Sequence, residues 1–148
     1  AIKVYRSNFS HEMEHGTVVE GRIEDSGHWN LPQGVDLLFA GFPCQPFSGA
    51  GWQAGFQDMR GSVIFSIVKR MQEVRPRVAL LENVGNFSSH DGGRTLERVI
   101  AVLAEVGYCA QWTRCDAASV LPQTRQRTYI AAVRRDVFAR VCEDGRAG

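Results

Sequence analysis

Three groups of residues in this sequence have side chains that could do chemistry together. Cys44 stands between two prolines in GFPCQPFS, and Glu82 stands near the end of VALLENV. Arg125 and Arg127 close the stretch LPQTRQR. A thiolate is a strong nucleophile, a carboxyl group in a crevice can hold or donate a proton, and guanidinium groups suit anionic or carbonyl-rich ligands. These residue types predict a site that combines a nucleophile, an acid and cationic binding groups.

Each group also has a simpler interpretation when it is read alone. Cys44 is equally an inert, half-buried thiol, and Glu82 a strand-end carboxylate that accepts backbone hydrogen bonds. Arg125 and Arg127 are equally a pair of surface arginines where a strand begins. The catalytic interpretation therefore depends on whether the fold brings the three groups together.

The elements that would position Cys44 and Glu82 are two apolar strands joined by a helix. VDLLFA, residues 35–40, is nearly continuously apolar, which predicts a strand buried on both faces, and VALLENV, residues 78–84, predicts a second. SVIFSIVKRMQEV between them has the apolar period of an amphipathic helix, with Ser62 as its cap and Pro76 after its end. The strands are then parallel neighbours, and their carboxyl ends line one crevice.

The rest of the chain continues this alternation. RTLERVIAVLAEVG predicts a helix that stops at Gly107, and YCAQWTRC and TYIAAVRR predict strands. The order predicts an α/β fold with a mostly parallel sheet and flanking helices. Arg125 and Arg127 are two residues apart, so at strand spacing they should point the same way. GTVVEGRI predicts a short strand, residues 25–34 a loop, and VCEDGRAG a frayed tail.

Composition places few limits on function. The 148 residues are 44% hydrophobic and 22% charged with a formal net charge of +1, an ordinary globular balance. Residues 1–68 contain four Lys/Arg and seven Asp/Glu, whereas residues 69–140 contain twelve Lys/Arg and seven Asp/Glu. The excess of cations in the second part fits either a basic face or an ordinary solvated surface. The spacing of the four cysteines does not match that of a zinc-binding site. Cys109 and Cys115 are expected in the core. The absence of a membrane-length apolar run or a signal peptide favours a reducing, cytoplasmic compartment without metal or membrane.

The whole set of motifs resembles the C5-cytosine DNA methyltransferases, in their bacterial or phage restriction–modification form. The matching stretches follow the order of the family: VYRSNF, GFPCQPFS, GFQDMRG, ENVGNF, SHDGG and PQTRQR. A single motif would be weak, but Cys44, Glu82 and the triplet Gln123, Arg125 and Arg127 in the correct order make the resemblance specific over residues 1–135. It implies a Rossmann-like S-adenosylmethionine-dependent methyltransferase fold, incomplete here at both ends.

The resemblance also implies a reaction and a role for each site residue. Cys44 would attack C6 of a flipped cytosine, and Glu82 would stabilise or protonate N3 while S-adenosylmethionine methylates C5. Arg125 would contact the cytosine carbonyl, and Arg127 would support the site. Residues 45–61 resemble the mobile active-site loop of the family. The resemblance gives a cofactor role to Pro43, Ile23 and Val63, and a DNA role to Gln45, Ser48, Arg60 and Gln123.

Several departures from the family pattern define alternatives. Gly21-Arg22-Ile23 stands where the family has Gly-Asp-Ile, and we expect the glycine-rich cofactor loop and the target-recognition domain to come from a complementing chain. Residues 1–148 would then be one partial catalytic domain acting on double-stranded DNA in the bacterial cytoplasm, associated with the nucleoid. The alternatives are a non-catalytic subunit or remnant that binds a partner chain or DNA, and a tRNA cytosine-5 methyltransferase relative. Exposed apolar sheet surface should cause oligomerisation, partner binding or marginal stability.

Overall fold

The structure is a computed structural model that describes Val4, Ser7, Asn8 and residues 21–29, 31–43 and 62–144. The chain divides into two compact units, residues 1–30 and residues 31–148. In the first unit, Ile23–His28 forms a 3-10 helix with Glu24 and Asp25 in its first turn, where acidic side chains favour a helix start. The predicted strand GTVVEGRI is therefore wrong for residues 21–23, and its other residues lie outside the described part. The predicted loop 25–34 is likewise wrong in its first residues.

The second unit contains an α/β arrangement of four strands and three α-helices among the described residues. In chain order these are β1 (Leu37–Gly41), α1 (Val63–Val74), β2 (Val78–Val84), α2 (Arg94–Glu105), β3 (Tyr108–Asp116), β4 (Gln126–Arg134) and α3 (Arg135–Asp144). Two 3-10 segments, Gly85–Gly93 and Ala117–Ser119, follow β2 and β3. The prediction of a frayed tail is wrong as far as Asp144, because α3 continues to that residue.

Local sequence signals set the ends of α1. The Ser62 side chain accepts a hydrogen bond from the Phe65 backbone N–H at 3.2 Å, which confirms the predicted cap. The helix ends at Arg75, which adopts a left-handed conformation with φ of 53°, directly before Pro76. The apolar stripe of α1 is buried, as its period predicts, through Ile64, Ile67, Val68, Met71 and Val74.

The sheet has the strand order β1-β2-β4-β3. β1 and β2 are parallel, and β4 is antiparallel to both of its neighbours, β2 and β3. Three of the four described strands thus run in one direction, and the open sheet with flanking helices agrees with the predicted α/β class. The sequence pattern did not reveal that β4 inserts between β2 and β3, so that only one neighbouring pair is parallel.

One face of this sheet is buried and the other is partly open. The connections β1–α1–β2 and β2–α2–β3 cross the sheet in the same direction, and right-handed crossovers then place both helices over the same face. On that face Ala79, Leu81 and Ile130 are buried. On the opposite face Leu37 and Phe39 are 58% and 63% exposed, so the prediction that VDLLFA is buried on both faces is wrong.

The cysteines of β3 also differ from expectation. Cys109 is half-buried and Cys115 is exposed, and neither forms a disulfide. Both lie at alternate positions of an edge strand in the described sheet, on the face opposite Tyr108. The prediction that both are core residues is therefore wrong for Cys115.

Candidate active site

The carboxyl ends of β1 and β2 meet, as the sequence predicts. Gly41, the last residue of β1, pairs with Glu82, and the backbone N–H of Phe42 donates to the Glu82 carbonyl at 3.2 Å. Pro43 follows as an exposed residue. The chain that leads to Cys44 is therefore held beside Glu82. Cys44 itself lies outside the described residues, as do Gln45, Ser48 and Arg60.

Gly41 leaves room for the carboxylate of Glu82. A Cβ atom at Gly41 would lie 3.2 Å from Oε2 of Glu82, closer than an ordinary van der Waals contact. Because register places both residues on the same face of the sheet, a side chain at Gly41 would press on that oxygen. The last position of β1 thus favours glycine because of the carboxylate and not because of a turn.

Arg127 forms an ion pair with Glu82 across neighbouring strands. Nε of Arg127 lies 2.7 Å from Oε1 of Glu82, and the two side chains are 21% and 28% exposed. The Arg127 backbone pairs with Val84, so its side chain reaches Glu82 diagonally on one face of the sheet. A planar guanidinium at this distance fixes the orientation of the carboxylate while leaving it partly open to solvent. The structure therefore places Arg127 where a supporting residue for Glu82 would stand.

Arg125 occupies a different environment from Arg127. It precedes β4, its side chain is exposed, and its backbone N–H donates to Oδ1 of Asp116 at 2.9 Å. Side chains two residues apart point the same way only within a strand, and Arg125 lies one residue before β4 begins. The predicted shared direction of Arg125 and Arg127 therefore does not follow. Of the two arginines, the structure brings Arg127 to Glu82 and leaves Arg125 at the surface beside the site.

Asp116 is a structural residue that the sequence analysis did not identify. Its Oδ1 atom accepts the backbone N–H groups of Ala118 and Arg125, and these hydrogen bonds hold the pKa of the carboxyl below its usual value. The carboxylate thereby joins the two ends of the β3–β4 connection. An aspartate directly before Ala-Ala-Ser is a recognisable capping pattern, so a signal was present.

Asn83 is a second residue that was missed. Its side chain is on the buried face, with 2% of the residue exposed, and Oδ1 accepts the backbone N–H of Val84 at 2.8 Å. The hydrogen bond from the Phe42 N–H to the Glu82 carbonyl is the last one between the two strands in the described part of the chain. If the parallel pairing continued, the Val84 N–H would donate next to a carbonyl group of the β1 chain. Asn83 therefore ends the β1–β2 pairing at Glu82 and lets the chain after Phe42 leave the sheet.

The chain after β2 turns closely against β4. The Thr128 hydroxyl donates to the Gly85 carbonyl at 3.2 Å, and both residues are buried. A Cβ atom at Gly85 would lie 2.6 Å from the Cβ of Gln126, so this approach requires glycine. These contacts fix the direction in which the polypeptide departs from Glu82.

The remaining predicted site residues occupy separate places. Val63 is half-buried at the first residue of α1, Gln123 is exposed in the β3–β4 connection, and Ile23 is half-buried in the first unit. Pro43 and Val63 provide accessible apolar surface at the carboxyl side of the parallel pair, which is where ligands bind in open α/β sheets. The assignment of these residues to a cofactor stays a prediction.

Two further features concern metals and membranes. Across residues 21–29, 31–43 and 62–144, no group of three or more His, Cys, Asp or Glu side chains is arranged to hold a metal ion. In the same described part, no helix has both the length and the apolar character needed to cross a bilayer.

Solved structures with a similar fold are methyltransferases. A mutant of DNMT2 from Spodoptera frugiperda superposes with a TM-score of 0.59 at 23% identity, covering 88% of this chain and 39% of that protein. The methyltransferase EhMeth from Entamoeba histolytica gives a TM-score of 0.55 at 17% identity, covering 88% and 41%. At these identities the likeness concerns the fold alone, and it confirms the predicted Rossmann-like methyltransferase fold.

Sequence relatives are more similar. The type II methyltransferase M.PspPI of a Psychrobacter species is 43% identical over 123 residues, which are 82% of this chain and 30% of that protein. M.HhaI of Haemophilus parahaemolyticus is 41% identical over 128 residues, 86% of this chain and 39% of that protein. M.BanI of Aneurinibacillus aneurinilyticus is 44% identical over 134 residues, which are 90% of this chain and 29% of that protein. The chain thus spans between 29% and 39% of the length of these three relatives.

The sequence profile of the C-5 cytosine-specific DNA methylases matches residues 1–143. This range includes both strands of the parallel pair, the Glu82–Arg127 ion pair and the stretch that contains Cys44. The chain belongs to the C-5 cytosine-specific DNA methylase family.

Proposed function

We propose that this chain is the catalytic segment of a DNA (cytosine-5-)-methyltransferase. The observation that carries the proposal is the position of Glu82, held by Arg127 at the end of β2 and hydrogen-bonded through its backbone to Phe42. Phe42 is two residues before Cys44 in the chain. A nucleophile and an acid at these neighbouring strand ends would serve one substrate ring, and membership of the C-5 cytosine-specific DNA methylase family supports cytosine as that ring.

The chemistry proposed for the chain begins with the thiolate of Cys44. Its electron pair forms a bond to C6 of cytosine, and the C5–C6 π electrons move into the ring toward N3. Glu82 stabilises that charge by hydrogen bonding to N3 or by giving it a proton. After C5 has received its methyl group, a base removes the C5 proton as the thiolate leaves C6, and any proton placed on N3 returns to Glu82, which restores the neutral aromatic ring.

Bound S-adenosylmethionine would supply the methyl group as an electrophile, with S-adenosylhomocysteine as the leaving group. Pro43 and Val63 are proposed to contribute apolar surface to its binding, and a cofactor role for Ile23 stays a separate proposal. Glu82 must stay oriented toward the base during the reaction, and the ion pair with Arg127 provides that orientation. Arg125, which the structure leaves exposed beside the site, is proposed to bind the carbonyl oxygen of the base.

Double-stranded DNA is the proposed substrate, with the target cytosine turned out of the stack. Gln123 is exposed next to Arg125 and is proposed to contact DNA, together with Gln45, Ser48 and Arg60. A complementing chain is a further proposed partner, one that would contribute cofactor and recognition elements. A bacterial cytoplasmic location at the nucleoid is part of the same proposal, in keeping with the bacterial relatives.

A covalent trap tests the proposal. DNA containing 5-fluorocytosine is mixed with the chain, S-adenosylmethionine and any complementing chain, because a fluorine at C5 prevents the final loss of a proton. We expect a denaturation-resistant adduct that Cys44→Ser abolishes and Glu82→Gln slows. Cys109→Ser is the matched control, since that half-buried thiol lies on β3 away from the end of β1. An adduct that survives Cys44→Ser would refute the assignment.

A further inference from the structure

Strand β3 is an edge strand of the described sheet. It runs over nine residues, Tyr108–Asp116, and in that sheet its neighbour is β4. Natural proteins protect edge strands by keeping them short, by placing charges, especially lysine, or proline in them, or by interrupting them with a bulge. YCAQWTRCD contains no proline or lysine, carries charge only near one end at Arg114 and Asp116, and keeps a continuous register with β4. Within the described residues, β3 thus lacks most of these protections.

Alternate residues of β3 direct their backbone groups away from the sheet. The N–H of Ala117 donates to the Arg125 carbonyl at 3.2 Å, and the N–H of Arg135 donates to the Gly107 carbonyl at 3.0 Å. Both bonds continue the β3–β4 register at odd-numbered residues of the β3 side. Because hydrogen-bonded and non-hydrogen-bonded pairs alternate in an antiparallel ladder, the even-numbered residues of β3 face outward. Their N–H and C=O groups, which could bind a further strand, belong to Tyr108, Ala110, Trp112 and Arg114.

A groove of about 600 Å³ runs along this edge between β3 and α2. Leu96 and Glu97 of α2 line one wall, and Ala110 and Trp112 of β3 line the other. Trp112 pairs with the buried Ile130, so its ring lies on the helix-covered face of the sheet, yet 47% of the residue is exposed. A half-exposed tryptophan beside outward backbone groups is typical of a surface that contacts another protein chain.

The residues of β3 are arranged so that the strand complements itself. A two-fold axis perpendicular to a sheet makes two edge strands antiparallel and sets one residue opposite its own copy. Pairing over all nine residues places Trp112, the middle residue, at this axis. The backbone of Trp112 faces outward, so its two copies would exchange both hydrogen bonds. Arg114 then lies opposite Ala110 of the second copy, in a groove whose far wall carries the exposed Glu97, and the two charges are complementary.

We propose that β3 is an interface between two copies of this chain, joined by an antiparallel β3–β3 pair centred on Trp112. The two sheets become one continuous sheet, and each α2 helix lies on the same face, beside the two tryptophan rings. The partner's strand closes the groove between α2 and β3. This interface is independent of the proposed methyl transfer, because it uses neither Glu82 nor Arg127.

The same register sets Cys109 of one copy opposite Cys115 of the other. Both are odd-numbered residues, so they form a non-hydrogen-bonded pair with Cα atoms about 4.5 Å apart, which lies within the range that a disulfide bridges. Within one chain the two cysteines are six residues apart on one strand. That spacing corresponds to about 20 Å, far beyond the reach of a disulfide. A bond between Cys109 and Cys115 therefore reports contact between two copies in this register.

Disulfide trapping tests the register. The full chain carries Cys44→Ser and Cys142→Ser, so that the two thiols of β3 remain. Diamide is the oxidant, and it takes up the two electrons and two protons that each new disulfide releases. We expect a covalent dimer on non-reducing gels, in which mass spectrometry of the peptides finds Cys109 linked to Cys115. The matched control adds Cys115→Ser and should lose the dimer, because Cys109 does not face its own copy.

Sedimentation velocity under reducing conditions tests the association itself. The wild type should sediment as a dimer, and Trp112→Lys should be a monomer at the same concentration, because two like charges then meet at the axis. Ala110→Pro removes an outward N–H without removing a bond to β4 and should also give a monomer. Val141→Lys is the control and should stay dimeric, since Val141 is 64% exposed on α3. Circular dichroism of each variant verifies that the fold is retained.

Three results would overturn the inference. The first is a wild-type chain that sediments as a monomer at the concentration used for trapping. The second is a folded Trp112→Lys chain that remains a dimer, which would place the interface elsewhere. The third is a trapped dimer linked through two copies of Cys109 or two copies of Cys115, which would show a different register. The 5-fluorocytosine trap is a separate measurement, and its failure would leave this interface unaffected.

Discussion

Arg127 on β4 forms an ion pair with Glu82 on the neighbouring, antiparallel β2, with 2.7 Å between Nε and Oε1. The pair joins residues that are far apart in sequence, and it is partly shielded from water. It therefore links the stability of the sheet to the orientation of the proposed active-site carboxylate.

The first prediction concerns the energy of this pair. A double-mutant cycle with Glu82→Gln and Arg127→Gln should give a coupling energy of about 1 kcal/mol in urea unfolding, above that of exposed pairs because the side chains are largely shielded. The control cycle uses Asp36 and Arg77, which lie 3.2 Å apart and have side chains 78% and 56% exposed. Its coupling energy should be about a few tenths of a kcal/mol. Equal couplings in the two cycles would contradict the prediction.

The second prediction concerns the space at the end of β1. Gly41→Ala places a Cβ atom 3.2 Å from Oε2 of Glu82, so the carboxylate must move away. We expect adduct formation with 5-fluorocytosine DNA to slow at least about tenfold, because small displacements of a proton donor raise the barrier strongly. Stability in urea should change by less than about 1 kcal/mol, because the carboxylate is partly exposed and can shift. Gly27→Ala is the control, since a Cβ there meets nothing within 4 Å.

The third prediction concerns the buried turn after β2. Gly85→Ala would bring a Cβ atom within 2.6 Å of the Cβ of Gln126 and disturb the hydrogen bond from Thr128. Overpacking of this kind costs about 1–3 kcal/mol, and urea unfolding should report that loss while Gly27→Ala stays near wild type. A Gly85→Ala chain of wild-type stability would mean that β4 can move away from β2 at this point.

Local patterns explain why several elements could be predicted closely. VALLENV predicts a strand over residues 78–84, and the structure has β2 at Val78–Val84. The bounds agree because the apolar run is limited by a helix stop before it and by polar residues after it. Ser62 was identified as a cap because its side chain can satisfy a free N–H in the first turn. These features depend on neighbours within a few residues, which the sequence displays directly.

Other features depend on residues that are distant in the chain, and the local sequence pattern could not predict them. The insertion of β4 between β2 and β3 is decided by backbone pairing across the sheet, and TYIAAVRR has the same composition for either orientation. The exposed side chain of Phe39 follows from its place on the uncovered face, which an apolar run does not reveal. Glu82 and Arg127 were assigned to one site by family resemblance, whereas their contact results from β2–β4 pairing.

Helix α3 shows a signal that was present but not used. Arg135–Asp144 has Asp136 in its first turn, and Val137 is buried while Val141 on the same helix is exposed. An acid at a helix start is a usual N-terminal signal, so the segment could have been distinguished from a frayed tail. The dense charge of the final residues obscured that pattern.

The fourth prediction is a pH dependence that arises at this helix. Arg134 donates to both carboxylate oxygens of Asp136, with Nε–Oδ1 at 2.6 Å, and this hydrogen bonding lowers the pKa of Asp136 from 3.8 to about 2. A carboxyl whose pKa is lowered by folding stabilises the folded state above its unfolded pKa, and that contribution is lost as the pH falls through the folded value.

The stabilising effect of Asp136 should therefore be constant from neutral pH to about pH 4 and disappear between about pH 4 and pH 2. Urea midpoints of the wild type and of Asp136→Asn, measured from pH 6 to pH 2, should differ at pH 6 and converge at the acid end. Arg134→Gln should remove the same difference, because the guanidinium is its main cause. Midpoint curves that stay parallel down to pH 2 would show that the ion pair at the start of α3 contributes nothing to folding.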